Sequence, residues 1–288
     1  MSDFSFPWTR SGTASSSHNT YDRRQLSYAG TFTNPVKAFV IRLIEWSTGK
    51  LRLLQLIRRF EAEGVETGHA FFAHALRVME IEVRTPDDQI AHIPQSGPCV
   101  IVANHPHGLV DGMILAELVG RVRQDYRILT RSLLTDVPEV SALMIPVPFA
   151  HEKDARERNL EMRRRAMLHL EDGGCIVVFP AGSVAASKTA FGPAVEKPWN
   201  PFTAKMIRRS GATVVPVHFD GANSRAYQIA NRISATLRQG LLLHEVVHSL
   251  GRPQAPVVRP ALTPDDWRAH TDNSTSFMSW LRDRTLNG

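Results

Sequence analysis

The chain has 288 residues, 43% of them hydrophobic and 22% charged, which supports one sizeable core and excludes disorder throughout. Lys and Arg number 34 against 28 Asp and Glu, a formal charge of +6 that suits an anionic partner such as a membrane surface or a nucleic acid. The two cysteines, Cys99 and Cys175, lie inside apolar runs, which excludes a disulfide framework or cysteine metal cluster and points to a reducing compartment.

Residues 1–34 are rich in Ser, Thr and Asn without a periodic apolar face, so a loosely ordered segment with no secretory signal is expected there. Asn34-Pro35 then reads as a helix start, and Val36, Phe39, Val40, Leu43 and Ile44 recur with helical spacing, leaving Ile41 outside the stripe. Beyond Gly49, Leu51, Leu54, Ile57 and Phe60 alternate with Lys50, Arg52, Arg58 and Arg59. Such a basic amphipathic pair can lie in a lipid interface or simply pack on a core, and residues 35–95 are expected to form this helical region. No uncharged apolar stretch reaches about 18 residues, so a membrane contact would be peripheral.

From residue 96 to 288 the pattern alternates. Short β runs are expected at Cys99–Ala103, 126–129, 175–179 and 213–219, and helices at 109–122, 154–170, 201–209 and 273–284. This predicts an α/β domain with a mixed, largely parallel sheet flanked by helices, the amphipathic pair preceding it. Pro216 within the last run predicts an edge strand or a bulge.

Three strings carry chemistry. Ala103-Asn104-His105-Pro106-His107-Gly108-Leu109-Val110-Asp111 spans the end of a buried strand and the start of a helix, where reactive groups of α/β sheets collect. A His there and an Asp in the first helical turn can meet, the carboxylate orienting an imidazole that takes a proton from a hydroxyl. Phe179-Pro180-Ala181-Gly182-Ser183 is a turn able to offer backbone N–H groups to developing negative charge, and Val215-Pro216-Val217 follows.

In this order, across residues 98–219, the strings resemble the glycerolipid (lysophospholipid) acyltransferase superfamily, whose signatures are an Asn-His motif with a downstream Asp, a Phe-Pro-Glu-Gly turn and a Val-Pro-Val strand. The resemblance implies a metal-independent O-acyltransferase with no cofactor, peripheral on the cytoplasmic face of the inner membrane. Its donor would be an acyl thioester of acyl carrier protein or coenzyme A, and its acceptor a lysolipid. His105 would be the general base and Asp111 its orienter. Asn104, His107, Gly108, Phe179, Pro180, Ala181, Gly182 and Ser183 would line the substrate site, and Arg131, after the second strand, would face the head group or solvent.

Two departures bear on the acceptor. Five residues separate His105 from Asp111 where the commoner spacing has four, which resembles a bacterial branch of lyso-ornithine lipid acyltransferases and hemolysin-like proteins. Ala181 replaces the motif's Glu, so lyso-ornithine lipid is the first expectation and lysophosphatidic acid the second. Trp46-Ser47-Thr48-Gly49-Lys50 and Gly221-Ala222-Asn223-Ser224-Arg225 resemble the same branch, the latter also reading as an ordinary helix start.

Rival readings carry less. His105-x-His107 with Asp111 could ligate a metal in a hydrolase, but Gly112 stands where such motifs usually continue with His. Ser183 lacks the Gly-x-Ser-x-Gly elbow, because Ala185 ends it. Arg163-Arg164-Arg165 and Arg208-Arg209 come without aromatic platforms, so no nucleic-acid partner is expected.

Overall fold

The structure is a computed structural model that describes residues 35–131, 137–148, 154–189 and 191–288; the segment 1–34 lies outside the described residues. Helices α1 (Pro35–Ser47), α2 (Lys50–Ala62), α3 (His69–Val78) and α4 (Asp87–Ile90) precede β1 (Cys99–Ala103), α5 (Leu109–Gly120), β2 (Tyr126–Arg131), β3 (Met144–Val147), α6 (Ala155–Glu171) and β4 (Cys175–Val178). A short hairpin, β5 (Ala186–Ser187) and β6 (Ala194–Val195), leads to α7 (Pro201–Ser210) and β7 (Thr213–His218). The order closes with α8 (Arg225–Ile233), α9 (Ala235–Gly240), α10 (Leu242–Ser249), β8 (Val257–Val258), α11 (Pro264–Trp267) and α12 (Ser274–Asn287).

The main sheet runs β3-β2-β4-β1-β7-β8, parallel except where β8 pairs antiparallel with β7. Helices cover both faces, which is why the central strands read as continuous apolar runs. Along β1 the pleat sends Cys99, Ile101 and Ala103 into a core shared with α2, α3 and α5, while Val100 and Val102 enter a second core with α6, α7 and α12. Cys99 and Cys175 are register partners in adjacent strands, both buried as free thiols.

Pro216 does not mark an edge strand. β7 is second from the edge, and Arg259 N donates to Pro216 O from the β8 side at 2.9 Å. A residue's N and C=O share one side of a strand, so the missing N–H faces the two-residue β8 and the β1 ladder loses nothing.

The N-terminal pair divides its labour. Helix α2 seats Leu53, Ile57 and Phe60 in the core, and Lys50 is buried 3.9 Å from Glu45 rather than displayed to solvent. Helix α1 does the reverse with its stripe: Val36, Phe39 and Leu43 are 68%, 64% and 60% exposed. Ile41, outside the stripe by spacing, is the buried residue, and Gly240 of α9 gives it room, since a Cβ there would stand 2.9 Å from Ile41 Cδ1. Among the described residues, no helix is long and apolar enough to cross a membrane.

Candidate active site

The carboxyl edge of the parallel sheet gathers the three strings. β4 and β7 flank β1 in register, so the turn after β4 and the loop after β7 both border the loop that follows β1. Asn104 ties that loop to β7: its Nδ2 donates to Phe219 O at 2.8 Å and its Oδ1 accepts from Phe219 N at 2.7 Å. Both ends of this buried amide are thereby engaged by main chain.

The loop turns into α5 at Gly108, whose φ of 84° is open to glycine and strained for other residues. Asp111, three positions into the helix and fully buried, accepts N–H donors from four directions. These are His105 Nδ1 at 3.1 Å, His107 Nδ1 at 2.9 Å, His107 N at 2.8 Å and Gly108 N at 3.0 Å. Burial pushes its pKa up, but hydrogen bonds from His105 and His107 outweigh this and hold it below the usual carboxylate range. An ionised carboxylate only accepts, so each neutral imidazole donates through Nδ1 and keeps Nε2 as an acceptor. Both rings retain some solvent access, the His105 side chain at 18% and His107 at 13%.

His105 is held on its other sides too. Its ring stacks on Phe179 with centroids 4.1 Å apart, its N–H donates to Glu196 Oε2 at 3.3 Å, and its carbonyl accepts from Ala185 N at 2.8 Å. In the turn after β4, Gly182 N donates to Phe179 O and Asn200 N to Pro180 O, at 3.0 and 2.9 Å. Ser183 Oγ is buried without a hydrogen-bond partner among the described residues, and Ala181 packs against the α6/α7 core. His107 lies under the loop after β7, where a Cβ on Gly221, with φ of 94°, would stand 2.9 Å from His107 Nε2.

Of the predicted site residues, His105, His107, Gly108, Asp111 and Phe179 converge directly, and Asn104, Pro180, Ala181, Gly182 and Ser183 flank them. Arg131 ends β2 on the same edge, and its side chain lies outside the described residues. Ser224 caps α8, accepting from Tyr227 N, and Arg225 donates to Gly192 O at 2.7 Å. Glu196 is absent from the sequence reading, since an acidic residue between the β6 run and the Pro198-Trp199-Asn200-Pro201 helix start carries no spacing signature. Among the described residues, no group of three or more His, Cys, Asp or Glu is arranged to hold a metal ion.

A sequence profile of the family described as Acyltransferase matches residues 52–254. The lyso-glycine lipid O-acyltransferase of Phocaeicola vulgatus is 30% identical over 145 residues, 49% of each chain. That of Bacteroides thetaiotaomicron is 30% identical over 146 residues, 49% of this chain and 50% of the other. The chain thus spans about half the length of the curated relatives it matches. The fold is similar to the crystal structure of the 1-acyl-sn-glycerophosphate acyltransferase PlsC from Thermotoga maritima, with a TM-score of 0.50 and 13% identity over 87% of this chain and 93% of that one.

Proposed function

The chain belongs to the acyltransferase family, and from that premise we propose that it moves a fatty acyl group from an acyl thioester to a hydroxyl of a lysolipid at a membrane surface. The observation that carries this is Asp111 fixing His105 with Nδ1 protonated and Nε2 as the accepting nitrogen, at the sheet edge where substrates of such folds bind. His105 Nε2 takes the acceptor's hydroxyl proton as the oxygen attacks the thioester carbonyl, and Asp111 stabilises the imidazolium that forms. Backbone N–H groups of Ala181 and Ser183, in the turn after β4, stabilise the tetrahedral oxyanion. Collapse breaks the C–S bond, and the departing thiolate takes the proton from His105. No acyl-enzyme is needed.

The acceptor in this reading carries an amino-acid head group, as lyso-ornithine lipid or lyso-glycine lipid does. Ala181 in place of an acidic residue and the names of the two bacterial relatives support it. His107, Gly108, Phe179 and the buried Ser183 hydroxyl line the acceptor side. The outward apolar face of α1, with exposed Arg42 on the same helix, rests on the cytoplasmic face of the inner membrane. The donor is acyl carrier protein or coenzyme A, and neither metal nor cofactor takes part.

The test offers the purified protein labelled acyl carrier protein and acyl-coenzyme A with three acceptors: lyso-ornithine lipid, lyso-glycine lipid and lysophosphatidic acid. Product on the amino-acid lysolipids supports the assignment. Product on lysophosphatidic acid alone overturns the acceptor, and no product on any of the three overturns the activity.

A further inference from the structure

We propose that Glu196 is a positioning residue for the transfer, its buried carboxylate holding the main chain of His105 so that the imidazole meets both substrates in register. The inference rests on the reading of His105 as the base. Glu196 follows β6 and is 7% exposed. One oxygen accepts from His105 N at 3.3 Å and the other from the indole N–H of the buried Trp199 at 3.2 Å. Arg282 of α12 donates to the Glu196 carbonyl at 2.9 Å, fixing the residue's own main chain.

A carboxylate removed from water is held at a cost, and burial accordingly pushes the Glu196 pKa up. A position needing only to fill space would not carry one. Glu196 and Ala185 bracket the β5–β6 hairpin, and together they grip both peptide groups of His105, Glu196 its N–H and Ala185 its carbonyl. Asp111 fixes the ring's nitrogen and Phe179 its plane, but neither contact fixes where the Cα stands. Ala181 leaves the turn after β4 without a carboxylate, so the anchor for this loop reaches it from later in the chain.

The test compares Glu196→Ala and Glu196→Gln by steady-state transfer and by NMR of the imidazole Nδ1–H resonances, assigned through their loss in His105→Gln and His107→Gln. For Glu196→Ala, kcat falls on the order of 10²-fold, the cost of a misplaced catalytic group. KM stays within about twofold, because substrate contacts are untouched. Its His105 Nδ1–H resonance broadens by exchange as the ring loses its fixed seat. Glu196→Gln keeps its amide oxygen as acceptor for the His105 N–H and gives up only the Trp199 contact, so the resonance persists and kcat stays within about fivefold. Glu196→Ala with an unaltered His105 resonance overturns the proposal, as does a Gln variant as impaired as the Ala variant. The resonance reads the positioning even if no acceptor tried is turned over, so failure of the activity assignment stays distinct from failure of this one.

Discussion

Replacing Asp111 by Asn and by Ala separates the charge of the carboxylate from its hydrogen bonds. Three donors, His105 Nδ1, His107 N and Gly108 N, converge on Oδ2, while His107 Nδ1 alone uses Oδ1. An Asn with its carbonyl in the Oδ2 position still accepts all three. Its amide then faces His107 Nδ1, and that ring can answer by moving its proton to Nε2. Stability therefore falls by only about 1 kcal/mol. Catalysis falls further, because a neutral amide cannot stabilise the His105 imidazolium, so a loss on the order of 10²-fold or more in kcat/KM is expected. Asp111→Ala strands the main-chain N–H groups of His107 and Gly108, and at about 1–3 kcal/mol each the loss is about 2–6 kcal/mol. Urea unfolding and acyl transfer, measured on the same preparations, read the two effects. An Asn variant within about threefold of wild-type activity, or an Ala variant as stable as the Asn one, would refute the reasoning.

Three further outcomes follow from the geometry. Burial raises the Glu196 pKa above its ordinary 4.5, so its contribution to stability is fully present below that pH and is lost as pH rises through the folded-state value. Thermal unfolding at about pH 4 and about pH 7 should show wild type losing stability relative to Glu196→Gln across the interval, and a constant difference would contradict this. Phe39→Glu with Leu43→Glu, both on the outward face of α1, should lower binding to anionic vesicles by tenfold or more, since burying one such side chain contributes about 1.5–3 kcal/mol. The melting temperature should hold, and unchanged flotation with vesicles would exclude this face. Gly221→Ala puts a Cβ where φ is 94° and His107 Nε2 is 2.9 Å away, so a stability loss of about 1 kcal/mol or more and slower transfer are expected; a neutral substitution would show that the loop after β7 does not constrain His107.

The central strands are legible because a strand covered on both faces must be apolar along its whole length, as Cys99–Ala103 is. The His105–Asp111 pairing is legible for a related reason: a strand end and a first helical turn can meet only across the loop that joins them. β3, in Met144–Val147, carries Pro146, is followed directly by Pro148, and is a strand through its pairing with β2, which no local pattern announces. The orientation of α1 is likewise hidden. Periodicity shows that Phe39 and Leu43 share a face, but whether that face turns inward depends on α9, where Gly240 admits Ile41. Glu196 is hidden most completely, because the β5–β6 hairpin must close before its carboxylate reaches His105.

The most direct measurement is acyl transfer to a lysolipid by wild type and His105→Ala at equal folded concentration. The mechanism requires that the variant lose essentially all transfer while its thermal unfolding stays close to that of wild type, because His105 is partly exposed and Asp111 keeps its other donors. Turnover by His105→Ala near the wild-type rate would mean that another group takes the acceptor's proton, and the assignment of His105 as base would be wrong.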